Sequence, residues 1–197
     1  MKVVVIGNGI AGFSAASTLR NLDRHCQITM ISAESNPLYS PCVLSDYISG
    51  DIPREHVFVK SVRDYDQYSL EVHFGHEAKE IDPLGKRVLM DHGESVQYDK
   101  LVLATGSQAI VLGDLRKGIF KLKTLNDADA ILNHHGTKAV VVGAGPIGIE
   151  IGIALFRKGY RVSIIEMMDH VLPLGLDAKG ANKVKGILEE HGIEVFC

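Results

Sequence analysis

Short apolar runs alternate with longer amphipathic stretches, in two separate series. Val3-Val4-Val5-Ile6 is a β-branched run closed by Gly7, the pattern of a strand buried on both faces. Small and apolar residues then recur at helical spacing between 10 and 22, at Ala11, Ala15, Ala16, Leu19 and Leu22. Ile28-Thr29-Met30-Ile31 predicts a second strand, with Glu34 just beyond its end. Strand, helix and strand in that order imply a parallel pair joined by a right-handed crossover. From 36 to 75 the pattern loosens. Ser40-Pro41 reads as an N-cap and first-turn proline of a short helix running towards Ser49-Gly50. Residues 70–97 alternate more, and Asp91-His92-Gly93 predicts a hairpin turn between 88–90 and 96–98. Leu101-Val102-Leu103-Ala104 predicts another buried strand, running into Thr105-Gly106.

The stretch 107–123 holds Gly113 and Gly118 without a clear period and reads as a connection between domains. Thr124-Leu125-Asn126-Asp127 then caps a helix through His134, and Ala139-Val140-Val141-Val142 ends at Gly143. A helix over 146–158, a strand over 161–165 with Glu166 at its tip, a helix over 177–191 and a strand from 193 complete the second series. The fold class is α/β.

Composition narrows this. The 197 residues are 46% hydrophobic and 23% charged, with a net charge of −3, which is ordinary for a globular protein and unlike a disordered one. That near-neutral balance offers no basic surplus for nucleic acid. No stretch reaches the ~18 apolar residues of a membrane helix, so neither nucleic acid nor a membrane is expected as partner and a reducing cytoplasm is the default. Cys26, Cys42 and Cys197 form no CxxC or Cys/His cluster, so neither a disulfide framework nor a metal site is expected. The nine histidines, His134-His135 among them, show no metal spacing and read as helix-end or solvent-exposed groups. Cys26 reads as buried packing, Cys197 as terminal, and Glu189-Glu190 as part of a solvated helix face.

Glycine is the outlier, at 20 residues, and it clusters where the chemistry lies. Gly7-Asn8-Gly9-Ile10-Ala11-Gly12 and Gly143-Ala144-Gly145-Pro146-Ile147-Gly148 both spell GxGxxG between a strand and a helix. The first glycine makes the turn, the second lets a pyrophosphate approach the backbone, and the third lets helix and strand pack closely. The helix N-terminus behind them offers amide hydrogens and a positive dipole end. Glu34 follows Gly12 by 22 residues and Glu166 follows Gly148 by 18, near the offset at which a carboxylate accepts from a ribose hydroxyl. One such motif is weak; two in this context point to two bound dinucleotides.

The order of GNGIAG, Glu34, Tyr39-Ser40-Pro41-Cys42, Leu101 to Ser107, VVGAGPIGIE and Glu166 resembles the pyridine nucleotide–disulfide oxidoreductase superfamily. Within it the chain looks like the branch of NADH oxidases, coenzyme A-disulfide reductases and NAD(P)H:rubredoxin reductases. The resemblance covers essentially all 197 residues. It implies two Rossmann-like units, the first with a small antiparallel layer: an FAD-binding segment at 1–110 and an incomplete NAD-binding domain at 111–197. Gly7, Gly9, Ile10, Ala11, Gly12, Glu34, Ser40, Pro41, Ala104, Thr105 and Gly106 would then hold FAD. Gly143, Gly145, Pro146, Ile147, Gly148, Glu150 and Glu166 would hold NAD(H). Family members continue well beyond residue 197, so the chain reads as the N-terminal part of a longer or truncated enzyme, homodimeric when complete.

The implied activity is FAD-dependent transfer of electrons from NADH to a disulfide, oxygen or a small redox protein. A dinucleotide-binding module without turnover, or one part of a multichain enzyme, are the alternatives. Glu166, followed by two methionines, would accept from an unmodified ribose and repel a 2′-phosphate, which favours NADH. Cys42 would lie in the first turn of its helix, where the dipole stabilises a thiolate. The resemblance matches it to the redox-active cysteine beside the flavin in oxidases and coenzyme A-disulfide reductases. It equally matches rubredoxin reductases, where the position is a small apolar filler. Glu150 is either near the nicotinamide or a favourable charge at a helix N-terminus. Ile10 stands where related oxidases and peroxidases often carry a histidine, so no base for peroxide chemistry is expected there.

Overall fold

In chain order the computed structural model holds strands β1 (Lys2–Ile6), β2 (Gln27–Ser32), β3 (Glu71–Phe74), β4 (Ala78–Asp82), β5 (Arg87–Met90), β6 (Ser95–Gln97) and β7 (Lys100–Leu103), then β8 (Lys138–Val142), β9 (Arg161–Ile165) and β10 (Glu194–Phe196). Its helices are α1 (Ile10–Leu22), α2 (Leu44–Ser49), α3 (Val62–Gln67), α4 (Leu125–Leu132), α5 (Pro146–Arg157) and α6 (Ala178–Glu190). The structure describes residues 1–111, 113 and 116–197; residues 112, 114 and 115 of the expected connection lie outside them. The chain forms two compact units, one of Met1–Ser40 with Phe58–Gln108 and one of Pro41–Val57 with Ala109–Cys197. The segment carrying Cys42 therefore packs with the second series of elements, although it lies within the first in sequence.

In the first unit a four-stranded parallel sheet has the order β3-β2-β1-β7. Its central strand is apolar at every inner position because both faces are covered. Val3 and Val5 meet Phe13 and Ala16 of α1, while Val4 and Ile6 meet Val88 and Met90 of a separate antiparallel sheet, β4-β5-β6. The hairpin turn falls at Asp91-His92-Gly93, where Gly93 takes φ +88 and its amide donates to Met90 O at 3.0 Å. Two details depart from expectation. The alternating stretch contains β3, which pairs in parallel with β2 and extends the main sheet. The 101–104 run is half-buried, with Leu103 63% exposed, because β7 is a sheet edge whose pairing partner among the described residues is β1.

In the second unit β10-β9-β8 form a three-stranded parallel sheet. Val162, Ile164 and Val195 pack with Ala181 and Leu188 of α6, and Ala139, Val141 and Ile149 join them from β8 and α5. On the other face of β8, Val140 and Val142 are 62% and 65% exposed. Thr124 caps α4 as expected, accepting from Asp127 N at 3.2 Å while Asp127 Oδ2 accepts from Thr124 N at 2.8 Å. The short helix after Ser40 begins later than expected. Pro41–Val43 form a 3₁₀ turn, Val43 is the N-cap, and α2 buries Leu44 and Ile48 one helical turn apart. Among the described residues no helix is long and apolar enough to cross a membrane.

Candidate functional site

Each glycine loop is built the same way. The amide of Gly7 donates to Ile31 O at 2.9 Å and that of Gly143 to Ile165 O at 2.8 Å, so the first glycine caps the neighbouring strand. Their φ values of +108 and +102 lie in the region that side chains disfavour. A Cβ on Gly12 would fall on the carbonyl of Gly7, and one on Gly148 on that of Gly143. The first and third glycines are therefore demanded by the fold.

The second glycines are different. Gly9 has φ −78, ψ −176 and Gly145 has φ −73, ψ −179, extended backbone that any residue adopts. A Cβ at either position would meet nothing within 4 Å. Both are N-caps without a side-chain cap, ahead of α1 and α5. Each thus opens a helix that has no side-chain cap, with open space where a Cβ would stand, the kind of helix end that receives a diphosphate. The residues present fit that group at both places. Pro146 opens α5, where a missing N–H costs nothing.

The acidic strand tips are held by different partners. Glu34 Oε2 accepts from the Tyr39 hydroxyl at 2.8 Å, and the Glu34 carbonyl accepts from Ser32 Oγ at 2.8 Å. Glu166 Oε1 accepts from Met168 N at 2.9 Å and its Oε2 from Ala144 N at 2.8 Å, which ties the acid to the glycine loop itself. Those amides, Met168 first and Ala144 next, hold its carboxyl below the usual value of 4.5. Around the first loop, Tyr65 donates to Asn8 Oδ1 at 2.8 Å and accepts from Leu38 N at 2.8 Å, while Asn8 Nδ2 donates to Asn36 O at 3.2 Å. Sequence reasoning missed this brace: Tyr65 lies 57 residues from Asn8, and no local pattern marks it. Ala104 N donates to Ile6 O at 2.8 Å, setting Ala104-Thr105-Gly106 alongside Gly7, with Gly106 at φ +69.

Cys42 and Glu150 line one depression of about 230 Å³ in the second unit, with Ser45, Asp46, Ser49 and Arg157. Cys42 is an exposed free thiol. It sits in the 3₁₀ turn ahead of α2, so the expected stabilisation of its thiolate from a place inside the helix's first turn has no basis here. Arg157 Nη1 pairs with Asp51 Oδ2 at 2.6 Å. Cys26 is buried in the first core, as its sequence context implies.

Two strand–glycine–helix units, each with an uncapped helix N-terminus and an acidic strand tip, define a double Rossmann-type protein. The family model described as pyridine nucleotide-disulphide oxidoreductase matches residues 1–197. The chain is 34% identical to an NADH oxidase of Methanocaldococcus jannaschii, with 100% of this chain and 47% of the relative covered. It is 32% identical to an NADH-rubredoxin oxidoreductase of Clostridium acetobutylicum, covering 99% of this chain and 52% of the relative. The solved structure of a NAD-dependent persulfide reductase from A. fulgidus superposes with a TM-score of 0.91 at 34% identity, over 99% of this chain and 39% of that one. The chain belongs to the pyridine nucleotide-disulphide oxidoreductase family, and it spans about half the length of these curated relatives.

Proposed function

We propose that this chain supplies the two coenzyme cradles of an FAD-dependent NADH:acceptor oxidoreductase. The observation that carries this is the pair of glycines, Gly9 and Gly145, that neither backbone conformation nor packing requires. Gly9, Ile10, Ala11 and Gly12 would grip the diphosphate of FAD, with Glu34 accepting from its adenosine ribose and Ala104-Thr105-Gly106 lining the approach. Gly145, Pro146, Ile147 and Gly148 would grip that of NADH, with Glu166 on the ribose. The chemistry that FAD held in the first cradle would supply is acceptance of the hydride of NADH. The sequence after Glu166, Met167-Met168-Asp169, offers no guanidinium for a 2′-phosphate, which supports NADH over NADPH.

By analogy with its relatives, the acceptor would be oxygen, a sulfur compound, or a small redox protein such as rubredoxin. Cys42, an exposed thiol lining the same depression as Glu150, would meet a disulfide or persulfide in one reading; in the redox-protein reading it only fills space. Replacing Cys42 with Ser in the complete protein separates these, since unchanged disulfide-reductase turnover reduces it to packing.

An absorbance scan of the purified protein tests the whole reading. A flavin spectrum bleached by NADH supports the enzyme. A colourless protein that binds NADH supports a binding module, and colour only with a second chain supports a split enzyme. Crystals soaked with both coenzymes in which Gly9 or Gly145 faces no phosphate oxygen would overturn it.

A further inference from the structure

We propose that His76, Asp91 and His92 form a surface site for a divalent transition metal, with Zn²⁺ as its ligand. Each residue offers one ligand atom, and the three atoms lie within 4.8 Å of one another. His76 Nδ1 lies 3.3 Å and His92 Nδ1 3.2 Å from Asp91 Oδ1. Those separations match the edge of a tetrahedron, about 3.3 Å, set by metal–ligand bonds of about 2.0–2.1 Å.

The backbone builds this convergence. His76 N donates to Ser32 O at 2.9 Å, anchoring the residue to the end of β2. Asp91 N donates to Glu77 O at 2.9 Å, which ties the tip of the β5–β6 hairpin to the residue after His76. The two rings sit with centroids 4.2 Å apart. His92 Nε2 lies 3.2 Å from Glu94 Oε2, which is within reach to accept from Nε2 in the tautomer that frees Nδ1 as a ligand. Both Nδ1 atoms thus converge on one carboxylate oxygen.

A ring that binds the metal would release any Nδ1 proton to water, and the three protein ligands would leave a fourth position for water. Glu94 then completes the carboxylate–histidine–metal relay common around such ions. A spacing rule is blind to this group because His76 and Asp91 lie 15 residues apart and meet only through the hairpin.

The test uses the tag-free chain. Calorimetry with Zn²⁺ alone should give one equivalent bound, and Co²⁺ should give the intense visible bands of a tetrahedral ion. The side chains of His76, Asp91 and His92 are 40%, 35% and 33% exposed, so substitution there leaves the fold intact, which far-UV circular dichroism checks. His92→Gln and Asp91→Asn should each remove the Co²⁺ bands. Glu94→Gln should weaken Zn²⁺ about 10–100-fold, and His25→Gln should change nothing. Binding that survives unaltered in the His76→Gln/His92→Gln double variant, or a wild-type chain without the Co²⁺ bands, overturns the proposal.

Discussion

The six glycines of the two loops do different jobs, and substitution should separate them. Gly148→Ala drives a methyl group onto the Gly143 carbonyl, a backbone atom that cannot swing away. Overpacking of this kind costs about 2 kcal/mol or more, readable from urea unfolding. Gly145→Ala places its methyl in open space on permitted backbone, so its stability cost should stay below about 1 kcal/mol. In the proposed cradle it should nevertheless weaken NADH at least about tenfold by fluorescence titration, because the new carbon would stand where a phosphate oxygen is to approach. Equal losses of stability in the two variants would contradict this division. Glu166 acts at the same scale through its hydrogen bonds. Its carboxyl is held below its ordinary value of 4.5, so the stability it adds is complete above that value and is lost as pH falls through the lower folded value. Unfolding midpoints measured from about pH 6 down to pH 3 should fall more steeply for the native chain than for Glu166→Gln.

At the scale of elements, short helices need help because few of their amides close internal turns. The eight-residue α4 has it in the reciprocal Thr124–Asp127 cap, so Thr124→Ala should cost about 1 kcal/mol in urea unfolding. Asp129 on α4 accepts from the Tyr47 hydroxyl of α2 at 2.7 Å and from Arg54 Nη2 at 3.0 Å. That carboxylate ties the segment 41–57 to α4. Asp129→Ala should remove the acceptor of the Tyr47 hydroxyl and one ion pair of Arg54, and cost about 1–2 kcal/mol, discounted for partial exposure. It should also raise the reactivity of Cys42 towards a thiol reagent, since the turn carrying it is anchored through α2. Unchanged labelling kinetics would show that α2 is held by its apolar face alone. The strands obey a related rule of coverage. β1, flanked by β2 and β7 and covered on both faces, is apolar from Val3 to Ile6, whereas β8 carries the same kind of β-branched run with one face exposed.

At the scale of the whole molecule, one chain carries the same strand–glycine–helix–acid module twice, and the two copies are distinguished by their acids. Glu34 is oriented by a tyrosine, Glu166 by the amides of its own loop and strand tip. The second arrangement leaves a fixed negative charge where Glu166 is proposed to meet the ribose. NADH should therefore bind at least about tenfold more tightly than NADPH, an effect of roughly 1.4 kcal/mol. Equal affinities for the two in the full-length protein would reject the assignment.

The hydrophobic period and the glycine spacing together specified both Rossmann-type units, the helix from 10 to 22, the strand from 161 to 165 and all six loop glycines, because these signals are local: a turn, a cap and a buried strand each leave their mark within a few residues. Other features depended on the tertiary structure. Tyr65 reaching Asn8, β3 joining the main sheet, residues 41–57 packing with 109–197, and His76 meeting Asp91 and His92 all join positions far apart in the chain. Period and spacing are silent there, since such contacts are selected by which surfaces bury one another after the chain has folded back.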